Sequence, residues 1–216
     1  AQAVGHIPVD VESAHIDLLS ISGHKIYGPK GIGALYVRRQ TPRVRLALQM
    51  HGGGHERGMR SGTLNVPGIV GLGYALEIAG KEMRTESQRL HELRDRLWCG
   101  LRASIDGIQL NGHPTQRLPH NVNVAIPGIE NRSLVVNLKQ DVSFSTGSAC
   151  TTAQVEPSHV LLALEKSESR AHNSIKLGLG RENTQEDVSF VVERLITVVE
   201  RLYQFQDTSL ATEKPL

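Results

Sequence analysis

The hydrophobic pattern changes period along the chain, and each change predicts an element. Ile16 to Ser22 sets Ile, Leu, Leu and Ile among Asp and Ser and reads as a buried strand. Gly33 to Arg38 reads as a second strand, with a Gly/Pro-rich turn between the two. From about Pro67 to Ala103 the rhythm becomes helical. Pro67 suits a first turn, and Ile69, Leu72, Tyr74, Leu76, Ile78 and Ala79 make a broad apolar face. Met83, Leu90, Leu93, Leu97 and Trp98 carry the rhythm onward between charges, and Gly80 allows a break. A helix of that length suits a bridge between two domains.

After Asp106 and Gly107 short alternating segments take over. Asn121 to Ile126, Asp141 to Ser145 and Ile175 to Leu179 are expected as strands, with short helices at about 133–139 and 158–164. The last helix has the clearest start. Thr184 and Asp187 stand three apart as in a capping box, with Asp in place of Glu or Gln. Val188, Val191, Val192, Leu195, Val198, Val199 and Leu202 then mark one face, and the tail from Asp207 to Leu216 is expected to fray. Strands alternating with helices give an α/β class, split near residues 80 to 105.

Composition narrows the function classes. The 216 residues carry 24 Lys and Arg against 22 Asp and Glu, a net charge of +2, so no strong field points to nucleic acid or an anionic membrane. No apolar run reaches the roughly 18 residues of a membrane span. The chain opens on Ala1 rather than Met, and its first residues read as the tail of something already under way. The two cysteines, Cys99 and Cys150, are far apart and form no C-x-x-C, which argues against a zinc ribbon or a disulfide scaffold.

Three constellations have chemical content. Ser20 to Gly33 places Lys25 directly after a strand, in a tight turn with Ser22, His24 and several glycines. Two readings stand open: a solvated basic turn, or a lysine nucleophile beside donors suited to a phosphate. The glycine spacing matches neither common nucleotide loop. Met50 to Thr63 holds His51 and His55, but the three glycines between them forbid the helix that an i, i+4 metal pair needs, so a glycine loop or an anion-binding loop is expected there instead. Ser143 to Gln154 surrounds Cys150 with small hydroxyl residues; the thiol is either a small packing residue or an exposed nucleophile on a loop. Cys99, beside Trp98 on the long helix, reads as core.

The segments Ser22 to Tyr36, His51 to Thr63 and Ser145 to Thr151, in that order, closely resemble the pyridoxal-phosphate-dependent cysteine desulfurases of iron–sulfur cluster assembly. The resemblance runs from Gln2 to about Leu202. It implies an aminotransferase-like fold of type I: residues 1–82 as the C-terminal part of a large cofactor domain, 83–206 as a small α/β domain bearing the cysteine loop, and 207–216 as tail. It implies pyridoxal 5'-phosphate on Lys25 as a Schiff base, with Ser22 and His24 at the phosphate and Gln2 at the ring hydroxyl. Thr63 corresponds to a threonine reaching the phosphate of the other subunit, so a homodimer is implied. Cys150 corresponds to the cysteine that takes sulfur from L-cysteine as a persulfide, releasing alanine. No intrinsic metal is implied, although Cys150 can share a cluster transiently with a scaffold.

The same resemblance implies sulfur acceptors such as a cluster scaffold protein and thiouridine-forming enzymes, and a cytoplasmic or organelle-matrix location. Two departures stand out. The family carries about as much chain again before the point matching Ala1, including the aspartate at the pyridine nitrogen, so these 216 residues alone are expected not to bind cofactor productively. Lys176 stands where the family has an arginine on the substrate carboxylate, which predicts weaker substrate binding. A selenocysteine lyase-type enzyme and a non-catalytic dimerising or scaffold-binding fragment are the alternatives.

Overall fold

The computed structural model describes residues 1–145, 157–165 and 167–212. The chain divides into two compact units, Ala1–Ser87 and Gln88–Leu216.

In the first unit, β1 (Leu18–Ser22) pairs antiparallel with β2 (Gly33–Val37), in a register that sets Leu18 opposite Val37 and Ser22 opposite Gly33. Gly33 is required at its place: a Cβ there would lie 2.3 Å from the Ile21 carbonyl oxygen. Arg38, directly after β2, is only 5% exposed. Its guanidinium donates to the carbonyls of Val11 and Ile16 and pairs with Glu12 and Asp17, which ties the 11–17 segment to the strand end. The apolar core of this unit is small: Ile26, Leu72 and Ala75, with Ile32 and Leu76 against them.

Helix α1 (Val66–Ser104) is continuous through Gly80, and its 39 residues make it about 58 Å long. Among the described residues no helix is long and apolar enough to cross a membrane. Leu90, Leu93, Leu97 and Leu101 form the buried line of its second half. Cys99 is exposed, which corrects the expectation that it packs in the core. Two residues past Leu97 rotates about 200° around the helix, onto the opposite face.

The second unit contains a three-stranded antiparallel sheet of β3 (Gln109–Leu110), β4 (Asn121–Ala125) and β5 (Ser174–Gly178), with β4 in the middle. Val122 and Val124 of β4 and Ile175 and Leu177 of β5 face a core shared with α1, α2 (Asn131–Leu138) and α5 (Gln185–Thr212). Helices α3 (His159–Glu165) and α4 (Glu168–His172) precede β5. The capping box forms at α5: the Asp187 N–H donates to Thr184 Oγ1 at 3.1 Å, and the Thr184 N–H to the Asp187 carboxylate at 3.0 Å.

Two expectations need correction. Residues 141–145 form no strand; Asp141 and Val142 turn back onto the Leu138 carbonyl, and only Ser145 bridges to β5. Helix α5 continues through Thr212, past Asp207 where fraying was expected. The short elements β3 and α4 lack the length for a periodic signal.

Leu101 is fully buried in the larger core. Leu101→Ala is expected to lower the unfolding free energy by about 2–5 kcal/mol, read by urea denaturation. A loss below about 1 kcal/mol would contradict this packing.

Candidate functional site

Between β1 and β2 the chain makes a single 3-10 turn, Gly23–Ile26, which carries Lys25. The turn is tight because Gly23 has no side chain: a Cβ there would come within 2.8 Å of the Pro29 carbonyl oxygen. The Gly23 N–H donates to Ile32 O, the Gly28 N–H donates to Gly23 O, and Tyr27 closes the turn at φ 62°. Ile26 is buried beneath, so Lys25 is held half-buried on a rigid turn. Ser22 Oγ and His24 Nδ1 share a hydrogen bond of 3.0 Å, so Ser22, His24 and Lys25 sit together.

The N-terminal segment lies against the same turn. Buried His6 places Nε2 3.4 Å from the Lys25 carbonyl oxygen, and Gly5 fits closely over Ile26 and Ala79. Ser87 Oγ donates to the His6 carbonyl. These contacts bring the stretch bearing Gln2 onto the Lys25 turn, with Gln2 itself exposed. No pattern in the sequence marks His6 as the anchor.

Thr63 is exposed in the loop before α1, and its carbonyl accepts from Arg60 Nη1 at 3.3 Å. Among the described residues no hydrogen bond links it to the Lys25 turn. The same loop contains His51 and His55, and the described residues include no group of three or more His, Cys, Asp or Glu arranged to hold a metal.

In the second unit, Lys176 is half-buried at the centre of β5. Its backbone exchanges two hydrogen bonds with Ser145, at 3.0 and 2.6 Å. Residues 146–156, among them Cys150, lie outside the described residues. Their point of departure is thus pinned to the strand residue expected to meet the substrate carboxylate.

Lys176 shares its sheet face with a polar network that sequence reasoning also missed. Asn111 is 3% exposed and bonds to Asn123, Ser174 and Arg170. The signal lay in the alternation of β4, where Asn121 and Asn123 interleave with the buried Val122 and Val124.

These features belong to a known architecture. The chain matches the Aminotransferase class-V family over residues 1–191 and is a member of that family. Its curated relatives include the cysteine desulfurase IscS of Acinetobacter baumannii strain AYE, 53% identical over 202 residues, covering 94% of this chain and 49% of that protein. The corresponding protein of Anaeromyxobacter sp. strain Fw109-5 is 54% identical over 201 residues, covering 93% and 49%. The chain therefore spans about half the length of the curated relatives it matches.

Among solved structures, a NifS-like protein superposes with a TM-score of 0.77 at 33% identity, over 94% of this chain and 51% of that one. A NifS-like protein from Rickettsia africae gives 0.81 at 25% identity, over 93% and 52%. The fold is thus the expected aminotransferase-like α/β architecture of the NifS-like proteins.

Proposed function

We propose that this chain carries the cofactor-anchoring lysine and the sulfur-accepting cysteine of a pyridoxal-phosphate-dependent cysteine desulfurase. The observation that carries the reading is the Lys25 turn, where a half-buried lysine directly follows the hydrogen-bonded Ser22–His24 pair. The donor set fits pyridoxal phosphate: an amine to bind it covalently, and a hydroxyl and an imidazole to take its phosphate. Gln2, held on the same turn by Gly5 and His6, is assigned to the ring hydroxyl. Bound there, the cofactor supplies an electron sink that weakens the bonds at the substrate's α-carbon.

The chain's own residues then have distinct tasks. Lys25 Nζ moves the proton between the α-carbon and the rest of the substrate, as a positioned general acid–base. The Cys150 thiolate attacks the sulfur of L-cysteine. A sulfur–sulfur bond forms, the carbon–sulfur bond breaks, and its electron pair stays with the carbon skeleton, which is protonated and leaves as alanine. Cys150 is left as a persulfide, ready for transfer to an acceptor thiol. The bridge between Ser145 and Lys176 roots the cysteine segment beside the residue assigned to the substrate carboxylate, which supports this order of events.

Lys176 offers a point charge where an arginine offers a planar fork. In the full-length holoprotein Lys176→Arg is expected to lower the KM for L-cysteine by a factor worth about 1–2 kcal/mol, with little change in kcat. An unchanged KM would remove Lys176 from the substrate site.

The homodimer belongs to the same proposal. Val66, Val70, Tyr74 and Ile78 recur every four residues on α1, and each is exposed, Tyr74 by 64%. Such an apolar stripe calls for a covering surface, and a second copy whose Thr63 completes the phosphate site supplies one. Iron–sulfur scaffold proteins and other sulfur carriers are the proposed acceptors, in a cytoplasmic or organelle-matrix setting. The reading is tested by incubating the full-length holoprotein with L-cysteine and a dithiol: equimolar alanine and sulfide support it. Activity confined to selenocysteine would favour a selenocysteine lyase instead.

A further inference from the structure

The hydrogen bonds around Asn111 determine which way two side-chain amides face. Arg170 can only donate, and its Nε lies 2.7 Å from Asn111 Oδ1. Asn111 must therefore present Nδ2 to its other neighbours. Ser174 gives independent support: its hydroxyl proton already goes to the Arg170 carbonyl at 2.6 Å, so toward Asn111 Nδ2, at 2.8 Å, it can only accept. The second Nδ2 contact, 2.7 Å to Asn123 Oδ1, fixes the next amide in turn. Asn123 uses its oxygen inward, and its NH2 group is left with no hydrogen-bond partner among the described residues.

Asn123 is directly cross-strand from Lys176. Opposed residues on one sheet face have Cβ atoms about 4.5–5.5 Å apart. The Lys176 ammonium likewise has neither ion pair nor hydrogen bond among the described residues, and both residues are half-buried. Two positions along β5, on the same face, a Cβ on Gly178 would meet nothing within 4 Å among the described residues. Lys176 and Asn123, with its oriented pair of amide donors, are thus cross-strand neighbours on one sheet face.

We infer that Asn123 is a second carboxylate-binding residue, acting with Lys176 on the substrate's carboxylate, and that Asn111 is the positioning residue that sets its amide. This rests on the desulfurase reading for the identity of the substrate, but the anion site itself does not depend on cofactor. The pairing answers the loss of the arginine fork. Lys176 supplies the charge, and Asn123 supplies the second, directional hydrogen bond that a lone ammonium lacks.

Asn123→Asp is the discriminating variant. It keeps the acceptor that Asn111 needs and almost the same volume, but replaces the two donors with a carboxylate beside Lys176. In the holoprotein the KM for L-cysteine is expected to rise roughly tenfold or more, with kcat changed by less than about threefold. The affinity for cysteamine, which has no carboxylate, stays as in the parent. An unchanged KM for L-cysteine, or a parallel loss of cysteamine affinity, overturns the inference, the second because it marks a structural role.

A second readout needs neither cofactor nor turnover. In the 15N-labelled cofactor-free chain, the Asn123 side-chain amide signal, identified by its disappearance in Asn123→Asp, shifts on titration with L-alanine and not with ethylamine. Lys176→Gln weakens that response. An Asn123 signal indifferent to L-alanine overturns the inference. If instead the full-length parent holoprotein releases no alanine from L-cysteine while this titration succeeds, the desulfurase reading fails and the anion site stands.

Discussion

Lys25→Ala is expected to abolish the yellow absorbance of the full-length protein reconstituted with pyridoxal phosphate. The same change removes the group proposed to move the α-proton, and loss of a positioned acid–base group alone costs about 10²–10⁴-fold in turnover. Together the two losses bring alanine release to background. The fold is expected to survive, because the turn is held by Gly23, Ile26 and the carbonyl of residue 25 rather than by the ammonium. A Lys25→Ala protein that keeps both absorbance and alanine release would mean that the cofactor is anchored elsewhere.

Cys150→Ser separates sulfur transfer from cofactor binding. The variant keeps the absorbance of the parent and still changes its spectrum with L-cysteine, since Lys25, Ser22 and His24 are untouched. Turnover, however, needs an ionised sulfur to attack sulfur, and a serine hydroxyl stays protonated at neutral pH. Loss of an enzymatic nucleophile costs on the order of 10⁴–10⁶-fold, and a loss of that size is expected in alanine release. Parent-like release from Cys150→Ser would assign the sulfur acceptor to another residue, of which exposed Cys99 is the other thiol in the chain.

The sequence was most legible where a local pattern is also the cause of the structure. Ile16 to Ser22 and Gly33 to Arg38 contain the strands β1 and β2, because an apolar run ended by glycine leaves few other conformations. The Thr184–Asp187 box marks the start of α5 because it satisfies that helix's own first donors. The grouping of Lys25, Ser22 and His24 on one turn was legible for the same reason: a strand followed by a tight turn forces near neighbours together.

Features set by distant partners were harder to read. Residues 141–145 look like a strand, yet the turn onto Leu138 leaves a single bridge at Ser145. Cys99 looks like core from its neighbour Trp98, but the buried line runs through Leu93, Leu97 and Leu101 and turns the thiol outward. The role of Asn123 needs Asn111, Ser174 and Arg170, which are 12, 51 and 47 positions away in the chain, and the direction of each hydrogen bond between them. No spacing rule encodes that kind of bookkeeping.

The central claim is that sulfur passes from L-cysteine to Cys150 on a protein whose cofactor is held by Lys25. The most direct measurement is the mass of the peptide containing Cys150 after the holoprotein meets L-cysteine with no reducing thiol present. A gain of one sulfur atom on that peptide is expected, matched by one alanine released per chain. Alanine release with that peptide unchanged in mass would contradict it.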